Sequence, residues 1–190
     1  MNKILLLLSI FLLSACSTPT DKTTTDSTTA FAVKINPDQL ISPGKGIGQL
    51  TIGMPADSAI TKLGRPDSSD AAMGSALMVW YSKDSSKHRT AVFSSMNMGN
   101  EAFHRIKRIM VSSPWFKTEA GLGAGAAMAE IEKDYQLTKV EDVSAQQKGL
   151  LVYADTEKGI SFDIDSVSRI CKAITVFSPK DGAGSYINMH

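Results

Sequence analysis

The sequence predicts an α+β protein: two tandem helix-plus-antiparallel-meander repeats, with short helices packed on one face of an antiparallel sheet. Two observations support this fold class. Residues 107–114 and 172–179 share five of eight positions, and three weaker matches follow the same order along the chain. Each copy also has one amphipathic stretch followed by three apolar stretches of strand length, a pattern typical of a duplicated supersecondary unit.

The helices are predicted from apolar residues at helical spacing. In the first copy Pro55 suits the first helical turn, and Gly64 followed by Pro66 is a stop signal. The residues that share the apolar face are Ala56, Ala59, Ile60 and Leu63 in the first copy, and Met128, Ile131 and Tyr135 in the second.

Strands are predicted at residues 49–52, 77–81, 91–95, 106–112, 150–154, 160–165 and 170–177. Side chains alternate along a strand, so Ile109 and Val111 share one face in the first copy. Cys171 takes the position that Ile106 has in the first copy. A site that accepts either residue is interpreted as a packing position, although a single cysteine with a distant histidine is also a nucleophile pattern.

The N-terminus has the features of an export signal. Lys3 precedes the apolar run 4–13, which is shorter than the about 20 residues that a membrane-spanning helix needs. The run ends in Leu13-Ser14-Ala15-Cys16, which resembles the lipobox of bacterial lipoproteins. This resemblance implies cleavage after residue 15, a diacylglycerol group on the Cys16 sulfur and attachment to a membrane through acyl chains. An ordinary cleaved signal and a transmembrane anchor are the alternatives.

Three regions follow from this signal: a lipoprotein signal peptide at 1–15, the lipidated cysteine with a flexible linker at 16–40, and a folded domain at 41–190. The domain divides into repeats of about 41–114 and 115–179 and a short C-terminal tail. Residues 17–29 are rich in threonine and lack large apolar side chains, so they cannot offset the entropy of ordering. We interpret them as a leash, with a glycosylated stalk as the alternative.

Composition excludes several classes of function. The chain has 20 basic and 19 acidic residues, without the basic excess of a nucleic-acid-binding protein. With Cys16 acylated, Cys171 is the only remaining thiol, so no intramolecular disulfide is expected.

The candidate catalytic and cofactor motifs each have a simpler structural explanation. His88, His104 and His190 are too far apart for a metal site, and no Gly-x-Ser-x-Gly elbow accompanies them. The glycine run 44–48 continues into a strand, so it is not a phosphate loop. The carboxylates Asp163 and Asp165, and Glu130, Glu132 and Asp134, are interpreted as solvated side chains. We therefore predict no catalytic residue, no metal and no cofactor.

The aromatic residues are the best candidates for partner contact. Trp80 and Tyr81 end a predicted strand, and Trp115 and Phe116 lie in the connection between the copies. Because adjacent strand residues face opposite ways, one of Trp80 and Tyr81 is expected to point outward. Exposed Trp and Tyr are common anchors of protein interfaces. The alternative is that Trp115 and Phe116 only seal the seam between the copies.

Residues 52–66, from Ile52 through Gly-Met-Pro to Leu-Gly-Arg-Pro, followed by a meander, resemble the repeat of β-lactamase-inhibitor-protein-like domains. They are also similar to the small lipoprotein of the outer-membrane β-barrel assembly machinery. The resemblance covers about two thirds of the mature chain. It implies a helical element on one face of a sheet, a second face free to bind another protein, and no catalytic residues.

Together these features predict a membrane-anchored envelope lipoprotein that acts as a non-catalytic protein-binding module. Ser17 after the lipid cysteine resembles the enterobacterial sorting signal for the outer membrane, which places the domain in the periplasm. An inhibitor of a periplasmic enzyme is the alternative, and an envelope hydrolase with an unrecognised site is a further one. A cavity lined by His104 or by Asp163 and Asp165 would favour the hydrolase.

Overall fold

The computed structural model describes residues 35–141, 149–179 and 187–190. The predicted signal peptide, the predicted lipidation site Cys16 and residues 17–34 of the predicted linker lie outside the described residues. The described helices are a 3-10 helix (Pro37–Gln39), α1 (Ala56–Leu63) and α2 (Met128–Ile131). The described strands are β1 (Leu40–Ser42), β2 (Gly46–Ile47), β3 (Leu50–Thr51), β4 (Ser68–Ala72), β5 (Ser75–Tyr81), β6 (Arg89–Ser95), β7 (Arg105–Val111), β8 (Lys117–Thr118), β9 (Thr138–Lys139), β10 (Leu150–Asp155), β11 (Ile160–Asp165) and β12 (Cys171–Phe177).

Eight strands form one antiparallel sheet in the order β4-β5-β6-β7-β12-β11-β10-β9. Two meanders meet at its centre, where Val111 of β7 pairs with Ile174 of β12. The central strands are largely apolar on both sides and are buried on both, as in β5, β7 and β12, which suits strands in the middle of a sheet that is covered on two faces. The six central strands that the sequence predicts are confirmed to within two residues at each end.

The remaining four strands form a second, smaller sheet in the order β3-β2-β1-β8. Its strands are only two or three residues long, and β1 runs parallel to β8, where Ile41 pairs with Thr118. Gly46 is required here because a Cβ at this position would lie 2.1 Å from the Leu50 carbonyl oxygen. The glycine run 44–48 therefore allows the short strands β2 and β3 to lie very close to each other.

The predicted fold class is wrong. The described residues are predominantly β, with sheets of eight and four strands, and not two repeats of helices packed on a sheet. The helical component is small: α1 has eight residues and α2 has four. Long-range strand pairing accounts for part of the extra β structure. The stretch Ser68–Ala72 has no apolar alternation that would predict a strand, but it forms one by hydrogen bonding to β5.

The connections into α1 and α2 make matching hydrogen bonds. The amide of Gly53 donates to the Ile106 carbonyl, and the amide of Gly125 donates to the Cys171 carbonyl, both at 2.8 Å. Both glycines have positive φ, at 85° and 91°, which a side chain would strain. Each helix therefore starts at a fixed place against the large sheet.

The first face of the large sheet carries the main hydrophobic core, and α1, α2 and the small sheet pack against it. Cys171 lies in this core and is 1% exposed, as expected for a packing residue. The buried residues include Ile41, Ile47, Leu50, Ala59, Trp80, Val92, Ile109, Ile131, Phe162 and Ile174.

The second face carries a smaller cluster, formed by Val79, Ala91, Met110, Ala173 and Met189, with Ile187 packed against it. The side chains of Ile187 and Met189 therefore cover the middle of this face. The terminal His190 Nε2 lies 2.6 Å from Oδ2 of Asp163, whose side chain is 5% exposed. The free second face that the family resemblance implied is thus occupied at its centre by the chain's own C-terminus.

Candidate binding groove

All four aromatic residues singled out in the sequence line one cavity of about 440 Å³. Trp80 and Tyr81 come from the end of β5, and Trp115 and Phe116 precede β8. The fold thus brings together two segments that are more than thirty positions apart in the sequence.

Trp80 and Tyr81 differ in exposure, as the alternation of a strand predicts. Trp80 is 8% exposed, and its indole Nε1 donates to the Gly64 carbonyl at 2.9 Å, just after α1. Tyr81 is 40% exposed, and its hydroxyl accepts a hydrogen bond from Nη1 of Arg89 at 3.1 Å. Trp80 therefore fixes the cavity wall to the end of α1, while Tyr81 offers its ring to solvent.

Trp115 and Phe116 differ in exposure, so one is available for partner contact and the other packs inside the protein. Their rings meet edge to face, with centroids 4.9 Å apart at 83°, a geometry that aromatic pairs favour. Phe116 is partly buried against the main core, whereas Trp115 is 49% exposed. Phe116 thus seals the seam and orients Trp115, which projects into the cavity mouth.

A second cavity of about 220 Å³ adjoins the first and shares Leu63, Thr90, Trp115 and Phe116 with it. It lies between α1 and the small sheet. Its other lining residues are mostly apolar: Ile47, Leu50, Ile109 and Val111, with Asp38 and Gln49. Asp38 and Gln49 bond each other at 3.2 Å. We call the two cavities together the aromatic groove.

Sequence reasoning missed part of the groove. Leu63 was assigned to the buried helix face but is 40% exposed and lines both cavities. Arg65, Lys83 and His88 also line the larger cavity and were not singled out as a group. One feature of the sequence could have identified them. Arg65 comes just after α1, and Lys83 and His88 come just after β5, so all three lie where adjoining elements end.

A hairpin turn beside the groove holds a strongly acidic carboxylate. The Ser82 hydroxyl donates to Asp84 at 2.7 Å, and the Ser86 hydroxyl and amide donate to the same oxygen. These hydrogen bonds, first that of the Ser86 hydroxyl, lower the pKa of Asp84 to about 2. The carboxylate is thus ionised and engaged within its own turn.

A separate cavity of about 340 Å³ is lined by Ser94, His104 and Asp57, the residue types of a hydrolytic triad. Within the described part of the chain, no hydrogen bond joins these three side chains. The Ser94 hydroxyl instead donates weakly to the Ala76 carbonyl at 3.4 Å. This is a cavity lined by His104, the feature that the sequence analysis names as favouring a hydrolase. A triad also requires the nucleophile and the base to be within hydrogen-bond reach, and Ser94 and His104 do not make that contact.

The other chemical candidates do not converge. Asp163 pairs with His190, whereas Asp165 accepts hydrogen bonds from Ser168, which lower its pKa. Burial raises the pKa of the Cys171 thiol to about 12, so it is protonated at neutral pH. Among the described residues, no group of three or more His, Cys, Asp or Glu side chains is placed to hold a metal ion.

The glycine run borders another cavity, of about 360 Å³, lined by Lys45, Tyr135 and Lys158 among others. The Lys158 ammonium lies 4.8 Å from the centre of the Tyr135 ring. Desolvation raises the pKa of Tyr135. The cavity also contains Glu119 and Asp134, so its two ammonium groups are balanced by two carboxylates.

No protein-family model matches the sequence, and no curated protein matches it. Two solved structures are distantly similar to the chain. One is a cysteine-rich secretory protein from Staphylococcus aureus, with 14% identity, a TM-score of 0.47, and coverage of 75% of this chain and 49% of that one. The other is an extracellular protein containing an SCP domain from Bacillus anthracis, with 12% identity, a TM-score of 0.40, and coverage of 67% and 44%.

The chain thus spans about half the length of these two proteins or less, and at such TM-scores the likeness carries no argument about function. Within the described ranges, no helix has the length and apolar character needed to cross a membrane.

Proposed function

We propose that the protein is a membrane-anchored envelope lipoprotein that acts as a non-catalytic protein-binding module through its aromatic groove. The observation that carries this proposal is the convergence of Trp80, Tyr81, Trp115 and Phe116 on one cavity. Trp115 and Tyr81 keep about half of their surface in solvent. Large aromatic side chains left accessible beside a concave surface favour a binding role.

The rigidity of the groove supports this role. The indole of Trp80 is held by the Gly64 carbonyl, and Phe116 is packed against the core and against Trp115. A partner would therefore meet aromatic side chains that are already ordered, which lowers the entropic cost of binding. Interface anchors of this kind carry a large share of binding free energy.

The anchor is proposed from the sequence of the N-terminus. A diacylglycerol group on Cys16 gives the two acyl chains that stable membrane attachment needs. The threonine-rich linker would let the folded part reach about 25 Å from the membrane surface at 5–6 Å × √n for about 20 residues. Ser17 favours the outer membrane, with the domain facing the periplasm.

The non-catalytic part of the proposal is supported by contacts. Ser94 and His104 share a cavity but no hydrogen bond, and Cys171 is buried with a raised pKa. The described residues therefore offer a formed binding groove, and no activated nucleophile.

The test is crosslinking in cells that express the lipidated protein at its native level, followed by affinity capture and mass spectrometry. Cys16→Ala is the unanchored control, which we expect to stay unprocessed or to leave the membrane. One envelope protein enriched only with the anchored form would support the proposal. If that protein is an enzyme whose activity falls on titration, the module is an inhibitor. No reproducible partner, or a Cys16→Ala protein that loses its signal peptide and still stays at the membrane, would contradict the proposal.

A further inference from the structure

The strand β4 (Ser68–Ala72) is an open edge of the eight-stranded sheet. Among the described strands it pairs with β5 alone. All five of its residues are exposed, so neither the helices nor the small sheet covers it. The strand at the opposite edge, β9, has only two residues. β4 is therefore the longer of the two edges, and it presents a row of backbone groups to solvent.

The turn between β4 and β5 determines which backbone groups of β4 face outward. Met73 and Gly74 both have positive φ, at 49° and 75°, as in a two-residue type I′ turn. The residues that flank such a turn form a hydrogen-bonded pair, and bonded and non-bonded pairs then alternate along the antiparallel ladder. Ser69 and Ala71 therefore direct their N–H and C=O groups away from β5 and into solvent.

The β4 edge lacks most of the features that block the addition of a further strand. Its pairing with β5 runs from Ser68 to Ala72 without a register shift, and it contains no proline and no lysine. Natural sheets usually protect an exposed edge by such residues, by a bulge or by very short length. A regular, exposed and unprotected edge can accept an extended chain as an additional strand.

One charge lies at the centre of the β4 edge and restricts what can pair with it. Asp70 is exposed and forms no ion pair among the described residues. If a second copy added its own β4 in the antiparallel register that pairs all five residues, the two Asp70 carboxylates would lie opposite each other, which is destabilising. A strand with a basic side chain opposite Asp70 would instead gain a cross-strand ion pair.

The β4 edge is continuous with the aromatic groove. Asp67, the residue before β4, lines the larger cavity, and its Oδ2 accepts the Tyr81 amide at 2.8 Å. Because the two surfaces meet at Asp67, one extended chain can contact both. We infer, on the basis of the proposed function, that the partner presents an extended segment, which pairs with β4 as a ninth strand of the sheet and places a basic side chain opposite Asp70.

The test begins with selection from a random dodecapeptide library on the full lipidated protein in uncharged detergent. We expect enriched sequences to contain Lys or Arg among residues that favour strands, such as Val, Ile, Thr and Tyr. Saturation with the best peptide should slow hydrogen exchange at the Ser69 and Ala71 amides by about tenfold or more, because strand addition gives both N–H groups an acceptor. Binding that covers side chains alone would leave these two amides exchanging as before.

N-methylation of the peptide tests the pairing without any change to the protein. Methyl groups on the alternate amides that face β4 should abolish binding, whereas methyl groups on the remaining amides should leave the Kd unchanged. Ala71→Pro is the corresponding protein variant, because proline is tolerated on an edge strand where the N–H faces solvent. It should weaken binding by about tenfold, and the matched control Ala71→Thr, which keeps the N–H, should not.

Charge reversal tests the residue opposite Asp70. Asp70→Lys should weaken binding of the selected basic peptide by about fivefold or more, since an attractive cross-strand pair becomes a repulsive one. The same peptide with its basic residue replaced by Glu should bind this variant better than the selected peptide does. Glu157→Lys makes the same charge change at an exposed position between β10 and β11, so it is the matched control and should leave the Kd unchanged.

The inference is overturned if no sequence is enriched, if the exchange of the Ser69 and Ala71 amides does not change, or if both N-methylated peptides bind equally well. It is also overturned if Asp70→Lys binds the basic peptide as tightly as the original protein does. A dimer in sedimentation that Ala71→Pro abolishes would overturn it too, because the occupant of the edge would then be a second copy.

The proposed function is judged separately. A partner that is captured in cells by Asp70→Lys and by Ala71→Pro, but is lost with Trp115→Ala, leaves the aromatic groove as the binding site and removes only the strand pairing.

Discussion

The two faces of the eight-stranded sheet are covered in different ways. On the first face, α1 and the small sheet lie side by side, and the gap between them is the aromatic groove, with Ile109 and Val111 at its floor. On the second face, the side chains of Ile187 and Met189 pack over the centre, and His190 pairs with Asp163. One face is left partly open, and the other is closed by the chain itself.

This difference changes where a partner is expected to bind. An apolar sheet face is the obvious docking surface from sequence, but its central residues Val79 and Met110 are 3% and 1% exposed. The accessible aromatic side chain of the groove is instead Trp115, which is 49% exposed. Exposed aromatic area beside a cavity, and not the sheet face itself, marks the candidate interface.

The largest expected effect is the loss of partner binding when the groove loses its exposed anchor. Trp115→Ala should weaken capture of the partner at least tenfold, which corresponds to about 1.4 kcal/mol or more. The free energy of unfolding should change little, because Trp115 is half exposed. Val167→Ala, at a position that is 90% exposed and outside the groove, is the control. Equal capture by both variants would show that the groove is not the interface.

The closure of the second face can be broken at the contact between His190 and Asp163. His190→Ala leaves the Asp163 carboxylate buried without its partner, which should lower the free energy of unfolding by about 2 kcal/mol. Chemical denaturation measures this change. Partner capture should be unaffected, because the groove lies on the other face.

The second substitution Asp163→Asn should restore part of the stability lost in His190→Ala, since it removes the unpaired buried charge. The matching double-mutant cycle isolates the interaction of the two side chains. A His190→Ala variant as stable as the original would mean that the C-terminal residues do not hold this face closed.

The core of the first face should respond to alkaline pH through Cys171. Its pKa is raised by burial from 9.0 to about 12, so the folded state favours the protonated thiol. The stability that comes from this preference is fully present below pH 9 and is lost as the pH rises from 9 toward 12. At pH 10 the free energy of unfolding should be lower by about 1 kcal/mol. Comparison with Cys171→Ala across this range measures it.

The native thiol should also react with iodoacetamide much more slowly than the unfolded one. Fast alkylation of the folded protein at pH 8 would contradict the assignment of Cys171 as a packing residue and reopen the nucleophile interpretation.

The smallest effects are expected in the Ser94 cavity, which shares the first face with the groove. Ser94→Ala removes only a long hydrogen bond, and His104→Ala removes a side chain without a described hydrogen-bond partner, so partner capture should not change. Stability should change by less than about 1 kcal/mol. Any hydrolytic activity that the protein shows and that either substitution abolishes would favour an envelope hydrolase.

Local pattern was sufficient for the central strands but not for the layers that cover them. The stretch that contains Val79 is a short continuous apolar run of strand length, so its strand can be predicted from the sequence. The polar Ser68–Ala72 edge and the two-residue strands of the small sheet depend on long-range pairing, which no local pattern encodes. Helical spacing placed Ile60 and Leu63 inward, yet they are 39% and 40% exposed because the small sheet leaves that end of α1 uncovered.

The candidate site was predictable in its aromatic part. Trp115 and Tyr81 could be named because large aromatic residues next to strand ends often lie at surfaces. The cations Arg65 and Lys83 could not be assigned to the same cavity, since only the tertiary packing of α1 beside β5 brings them together. The closure of the second face depended on the terminal His190, which has no sequence signature.

The most direct test of the account is photocrosslinking in cells, with a photoreactive amino acid placed at Leu63 or Lys83 in the groove, or at Val167 on a distant turn. We expect one partner of defined mass to crosslink from positions 63 and 83 and not from 167. Crosslinks from 167 at equal yield, or none from the two groove positions while the partner is still captured by other means, would contradict the aromatic groove as the binding site.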